Sequence, residues 1–405
     1  MSSTNKLKIL NDPIYGFISL PSELIFDLVE HPYFQRLRRI SQLGLTYLVY
    51  PGAYHTRFHH ALGAMHLMQQ AVNILRRKGQ QISAEEEEAV LIAILLHDIG
   101  HGPFSHALER SLVTGLSHEE LSVQIMEKLN DEFEGRLSLS LEIFKDQYPR
   151  HFLHQLISSQ LDMDRLDYLR RDCFYTGVSE GKVNTERMIS MLNVANDQLV
   201  VDAKGIYSVE KFLVARRLMY WQVYLHKTVL SAEYLLIQIL SRAKDAPQPL
   251  RGTPSALKIF MQNRLPQESL IESYLRLDDI DLMAAIKEWS TAEDPVLAEL
   301  CQRLLNRQLL GVEISEEAPE EDKLNHLRAS LAQKTGFKQE ECAHLVFYER
   351  IENNAYHPDK DRINLLYKNG TLVDIAAAAD QLNISALAKP VIKYFLFAPK
   401  ELLKN

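Results

Sequence analysis

The chain has 405 residues, 46% of them hydrophobic and 24% charged, with a formal charge of −8 at pH 7. That length can bury a large core and hold more than one domain, while the acidic balance excludes a strongly basic coat for nucleic acid, so any phosphate binding has to be local. No run reaches the roughly 18 uncharged apolar residues needed to cross a bilayer, and the opening MSSTNKLKILNDPIYG lacks a signal peptide's apolar run. A cytoplasmic protein without membrane partners is expected, with Cys173, Cys301 and Cys342 as free thiols because their spacing suits neither a metal nor a CxxC pair.

From Pro21 to about Leu310, apolar residues recur three and four apart, as in SELIFDLVEHPYFQRLRRI and AVNILRR, which predicts a mainly α core. Ser83 and Glu86 form a capping-box pattern, and the acidic run Glu85 to Glu88 suits a helix's first turn. That helix is expected to continue through LIAILLHD until Gly100, Gly102 and Pro103 break it. ARRLMYWQVYLHKTVL reads as one helix with Arg216, Tyr220 and Tyr224 four apart on one face, a stripe that is by itself more often packing than recognition. DAPQPLRGTPS reads as a loop and EISEEAPEEDK as an exposed acidic stretch. Beyond them, AHLVFYERI, INLLYKNGTLVDI and VIKYFLFAP predict a small antiparallel sheet with a turn at Lys368, Asn369 and Gly370. The expected division is a core with its N-terminal segment over residues 1–240, a helical extension over 241–330 and a small α+β lobe over 331–405.

Three segments carry the chemistry: HTRFHHALG with His60, LLHDIGHGPFSH with His97 and Asp98, and LDMDRLDYLRRDC with Asp164. Imidazole and carboxylate donors together suit a divalent transition metal, Fe, Mn, Zn, Co or Ni, and open coordination positions permit hydrolysis. Each residue alone reads equally well as a hydrogen-bonded core histidine or a helix cap; the conjunction is what favours a metal. Arg57 and Arg165 adjoin ligand-bearing segments and offer forked donors to phosphate oxygens. His101, His106 and His118 lie near the same segment and can exchange a proton near neutral pH.

Together these segments resemble the HD-domain phosphohydrolases, and within them the deoxynucleoside triphosphate triphosphohydrolases related to the SAM-and-HD-domain enzyme, although no part of the chain reads as a SAM domain. The resemblance runs from NDPIYG to about Leu230. It implies an HD-domain helical core with a small C-terminal α+β lobe, and His60, His97, Asp98 and Asp164 as ligands of the catalytic metal, with Mg²⁺ as a second ion. It implies attack of water on the α-phosphorus, releasing a deoxynucleoside and inorganic triphosphate. His106 matches the general acid, with Glu109 or Glu119 to tune it, and His101 and His118 match phosphate contacts. Arg57, Arg165 and Arg216 match phosphate-binding positions. Gln42, Leu43, Tyr168, Asp172 and Tyr224 match positions around the sugar, and Tyr220 stands where a base-proximal histidine is usual. Asn11, Gln35, Arg38 and Lys227 match a regulatory nucleotide pocket formed at subunit contacts, which implies an activating nucleotide and a homo-oligomer, dimer or tetramer. The same metal chemistry also suits a nucleoside mono- or diphosphate or a signalling nucleotide as substrate, and a nucleotide-sensing protein is the reading from another class.

Overall fold

The computed structural model describes residues 8–104, 117–246, 250–261, 267–354, 356, 362–379 and 389–403. The chain opens with a hairpin that helical periodicity does not foretell: β1 (Ile9–Asp12) pairs antiparallel with β2 (Gly16–Ser19). Its turn is built by NDPIYG, where the Asp12 carboxylate accepts the Ile14 and Tyr15 amides at 2.9 and 3.0 Å and Gly16 takes a left-handed φ of 76°.

Helices follow: α1 (Glu23–Glu30), α2 (Arg57–Arg77), α3 (Ala84–Leu96), α4 (His118–Glu132), α5 (Ser138–Phe144) and α6 (Met163–Thr176). The expected capping box starts α3, with Ser83 and Glu86 exchanging bonds of 2.8 and 3.1 Å. Every residue from Ala89 to Leu96 is buried, so α3 is wrapped on all sides, chiefly by α2 and α5. Regular α3 ends at Leu96, two residues short of the expected end at Asp98, and His97 and Asp98 sit in the tight turn beyond it. α6 packs along α2, is capped by Asp162 and stops where Gly177 turns left-handed at φ 75°.

The expected single helix around ARRLMYWQVYLHKTVL is two. After α7 (Ile206–Met219), Tyr220–Tyr224 widens into a π turn closed by the Leu225 amide on the Tyr220 carbonyl at 2.7 Å. His226 then leaves helical geometry and caps α8 (Lys227–Lys244) by accepting the Thr228 amide. Lys227 therefore starts a different helix from the one that carries Arg216.

The strand segments near the C-terminus join two sheets, which corrects the single antiparallel sheet expected. β3 (Leu192–Ala195) and β4 (Gln198–Asp202) form a hairpin in the first half of the chain. β5 (Gly311–Ser315), whose last three residues begin the acidic stretch and are exposed as expected, and β6 (Phe347–Asn353) flank β9 (Val391–Ala398). The hairpin of β7 (Asn364–Leu366) and β8 (Leu372–Asp374) instead extends the first pair through a parallel β4 and β7 contact. Burial decides the split: Leu365, Ile375 and Tyr356 pack into the large apolar cluster around α2, α3 and α6, while Phe347, Phe395 and Phe397 pack into a second cluster around α8. The architecture is mainly α, with a helical core and a small C-terminal α+β region. No helix among the described residues is long and apolar enough to cross a membrane.

Candidate metal centre

His60 lies one turn into α2, His97 caps α3 and Asp164 opens α6, so three helices that pack together bring three distant residues to one point. His60 Nε2 is 3.3 Å from His97 Nε2 and 3.1 Å from Asp164 Oδ1, and the three ligand atoms lie within 4.8 Å of one another. Asp98 reaches the same point with oxygens 3.7 Å from His60 Nε2 and 3.4 Å from His97 Nε2. Both imidazoles are held from behind. His60 Nδ1 donates to Asp167 at 2.8 Å and His97 Nδ1 to the Ile94 carbonyl at 2.6 Å, which leaves each Nε2 lone pair facing the cluster.

The electrostatics ask for a cation. Burial alone would lower the His60 imidazolium's pKa, yet hydrogen bonds to Asp164 and Asp167 push it up to about 10. His97 is likewise raised against its burial by Asp98 and Asp164. Asp164 and Asp98 resist burial and are held well below the usual carboxylate range by the neighbouring imidazoles, with Arg57 adding to the effect on Asp98. The acids thus draw protons onto groups that would otherwise be neutral, and a divalent ion satisfies the same demand. This group can bind a metal, and its donor set fits a transition ion.

Arg57 Nη1 donates to Asp98, so its guanidinium braces a carboxylate of the cluster. His101 Nε2 is 3.2 Å from Asp98 and its ring stacks on His118 at 4.0 Å; burial and Arg57 hold its pKa well below normal, which keeps it neutral. Gly100 makes this approach possible, since a Cβ there would stand 2.3 Å from the His118 carbonyl oxygen. Ser122 Oγ then locks α4 to the turn, accepting the Gly100 amide at 2.9 Å and donating to the His97 carbonyl at 2.7 Å. Glu119 is exposed on the first turn of α4, and His106 and Glu109 lie outside the described residues.

Beside the cluster, Arg165 Nη1 donates to Asp162 and stands 4.0 Å from Asp164, while its Nε has no hydrogen-bond partner among the described residues. Arg216 is 6% exposed, and its Nε and Nη1 are also without partners among the described residues. Both guanidiniums, with Asp164 and Tyr220, act electrostatically on Tyr168, whose ring is 6.5 Å from that of His60. Tyr224 packs edge-on to Tyr168 and Tyr220 at 6.2 and 5.0 Å and donates to Asp172 at 2.7 Å. Asp172 also binds His55 at 2.7 Å, so both its oxygens are engaged. Gln42 takes its place through its amide on the His55 carbonyl, with Leu43 next to it half-buried against the large cluster.

Residues 57–172, which hold the whole cluster, match the HD domain family, and residues 183–248 match the HD associated region. The chain belongs to the HD-domain phosphohydrolases. It is similar to a crystal structure of a phosphohydrolase from Bacteroides thetaiotaomicron, 51% identical with a TM-score of 0.93 over 97% of this chain and 100% of that one. It is also 33% identical to the uncharacterized protein YwfO of Bacillus subtilis over 98% of this chain and 93% of the relative. A Dictyostelium discoideum protein named as a deoxynucleoside triphosphate triphosphohydrolase SAMHD1 homolog is 26% identical over 85% of this chain and 76% of its own length.

Several residues that shape this HD-domain centre escaped the sequence reading. Asp167, Arg171 and Asp12 stand behind His60, although the four-residue spacing of Asp167 and Arg171 on a helix was a legible signal for an ion pair. Asp279, at the start of α9 (Asp279–Trp289), accepts the Ser41 and Phe104 amides, each at 2.8 Å. It thereby ties the Gln42 and Leu43 segment to the end of the HDIGHGPF turn, where Phe104 holds a left-handed φ of 49°. Nothing local in the sequence announces that contact across more than 170 residues. Of the residues assigned to a regulatory pocket, Gln35 accepts from Arg38 at 2.8 Å and Arg38 lies over the Phe58 ring at 3.5 Å. Asn11 is exposed on β1 and Lys227 exposed on α8.

Proposed function

We propose that the chain hydrolyses deoxynucleoside triphosphates to a deoxynucleoside and inorganic triphosphate. The observation that carries this reading is the pair of guanidiniums, Arg165 and Arg216, with N–H groups that have no partner among the described residues, beside a cluster of His60, His97 and Asp164 with Asp98 alongside. Buried donors of positive charge without an acceptor among the described residues suit a polyanion. The relatives named as deoxynucleoside triphosphate triphosphohydrolases support a nucleotide as that polyanion.

A divalent ion held by His60, His97 and Asp164, with Asp98 alongside, would lower the pKa of water and offset phosphate charge, with Mg²⁺ as a second ion near Asp98. In the reaction, water oxygen bonds to the α-phosphorus, the bond from phosphorus to the 5′-oxygen breaks, and that oxygen takes a proton. Arg165 and Arg216 bind the triphosphate oxygens and spread the charge carried by the departing group. Arg57 keeps Asp98 turned toward the cluster, and neutral His101, stacked on His118, offers a phosphate contact. His106 is assigned the proton donation, with Glu109 or Glu119 tuning it. Tyr224, pinned by Asp172, and Leu43 would close the space beside the sugar's 2′ carbon, selecting deoxyribose by shape. Tyr168 and Gln42 complete that face, and Tyr220 lies toward the base.

Asn11, Gln35, Arg38 and Lys227 are assigned to an activating nucleotide in a homo-oligomer. The test is turnover of all four dNTPs and their ribo-counterparts with Mn²⁺ or Mg²⁺, with and without GTP, and products separated by chromatography. Deoxynucleoside plus triphosphate is the expected pair. Turnover of a mono-, di- or signalling nucleotide instead moves the protein to a different phosphohydrolase specificity, and no metal-dependent turnover across the panel favours a nucleotide sensor.

A further inference from the structure

The hairpin turn at the start of the chain is wired to the metal cluster through buried charges. Asp12 Oδ2 accepts from Arg171 Nη1 at 2.8 Å; Arg171 Nε and Nη2 fork onto the two oxygens of Asp167 at 2.9 and 3.0 Å; Asp167 Oδ2 accepts from His60 Nδ1 at 2.8 Å. Arg171 and Asp167 have no exposure and Asp12 is 7% exposed, so water screens none of the links. The path joins β1, α6 and α2. Gly63, three residues after His60, is part of the design: a Cβ there would stand 2.0 Å from Asp167 Oδ1 and 2.2 Å from Arg171 Nη2. The fork fits against α2 only because this position has no side chain.

We propose that Asp12, Arg171 and Gly63 are positioning residues for the metal, acting through Asp167 on His60, an inference that rests on the metal-centre reading above. The Asp167 carboxylate is shared between a fixed cation and the back of an imidazole. Its hold on His60 Nδ1 sets the ring's tautomer and the donor strength of Nε2. Asp12 balances the Arg171 charge; without that balance Arg171 draws Asp167 toward itself and weakens its grip on His60. The hairpin, whose turn is organised by the other oxygen of Asp12, is in this way an outer layer of the metal centre. Coupling of this kind is reciprocal: the metal should steady the hairpin as the hairpin steadies the ligand.

The test uses the full-length chain, Mn²⁺ as probe, and binding measured by calorimetry and by the electron paramagnetic resonance signal of the ion. Asp12→Asn keeps an oxygen for the Ile14 and Tyr15 amides and removes the charge facing Arg171. It should weaken Mn²⁺ binding about 10-fold, and Gly63→Ala, which displaces the fork directly, up to about 100-fold, the range found for outer-layer ligand partners. Leu10→Ala is the control, since it loosens β1 without touching Arg171 and should leave Mn²⁺ affinity within about 2-fold at a comparable loss of melting temperature. Hydrogen exchange at the Ile14 and Tyr15 amides should slow when Mn²⁺ binds the wild type. If the wild type binds no divalent ion, the metal-centre reading itself fails. If the wild type binds Mn²⁺ and folded Asp12→Asn binds it equally well with the same spectrum, the relay is overturned while the metal centre stands. Should Gly63→Ala not fold, Asp12→Asn and the exchange measurement decide.

Discussion

Replacing Arg216 by methionine separates a residue kept for ligand from one kept for stability. The guanidinium is 6% exposed and its Nε and Nη1 have no hydrogen-bond partner among the described residues, so the free protein carries a buried polar group at a cost of about 1–3 kcal/mol. Methionine fills similar space without that cost, and Arg216→Met should raise the melting temperature of the ligand-free protein by a few degrees. Substrate binding should suffer in the opposite sense. Two charge-assisted hydrogen bonds to phosphate oxygens, each worth about 1.5–3 kcal/mol, correspond to a loss of roughly 10²- to 10⁴-fold in kcat/KM. Arg216→Lys keeps the charge but not the fork and should fall between. Scanning fluorimetry on free protein and initial rates on a dNTP give both readouts. An unchanged kcat/KM, or a marked loss of stability in the ligand-free state, would refute the assignment of Arg216 to phosphate.

Tyr224→Ala should open the sugar pocket and narrow the dNTP to NTP ratio in kcat/KM by roughly 10- to 200-fold, because steric selection in a small cavity is worth about 1–3 kcal/mol; an unaltered ratio in the folded variant assigns discrimination elsewhere. Gly100→Ala forces a Cβ to 2.3 Å from the His118 carbonyl and 2.4 Å from the Ser122 amide. It should cost about 1–3 kcal/mol of stability by overpacking and lower turnover by shifting His118, checked by denaturant titration beside rates. Burial tends to raise the Glu86 carboxyl pKa, but the Ser83 amide, Arg150 and Tyr148 outweigh it and lower it below the ordinary 4.5. A carboxylate depressed on folding stabilises fully above its unfolded pKa, and the benefit fades as pH falls through the folded value. Glu86→Gln should therefore cost about 1–2 kcal/mol at pH 7 and progressively less below pH 4.5; a gap that does not change with pH contradicts this.

The helical class, the α3 cap and the convergence of His60, His97 and Asp164 were legible because each rests on a local signal: period, capping spacing, or a ligand-bearing motif. Three features were not. The π turn at Tyr220–Tyr224 breaks a pattern that periodicity alone extends without interruption into Lys227. The β7 and β8 hairpin leaves the sheet formed by its sequence neighbours because Leu365 and Ile375 find their apolar partners in the large cluster, a choice that only tertiary packing makes. The Asp12, Arg171 and Asp167 chain spans more than 150 residues, and hydrogen-bonded acids of this kind are indistinguishable in sequence from helix caps and surface charges. NDPIYG read only as the start of the family resemblance; its aspartate also organises a turn and pairs with Arg171.

The reaction itself is tested most directly by incubating dGTP with Mn²⁺-loaded protein in water enriched in ¹⁸O and following the products by phosphorus NMR and mass spectrometry. Water attack on the α-phosphorus predicts inorganic triphosphate carrying one ¹⁸O on a terminal phosphorus, with deoxyguanosine unlabelled. Orthophosphate with a nucleoside diphosphate, pyrophosphate with a monophosphate, or ¹⁸O in the 5′-hydroxyl contradicts it.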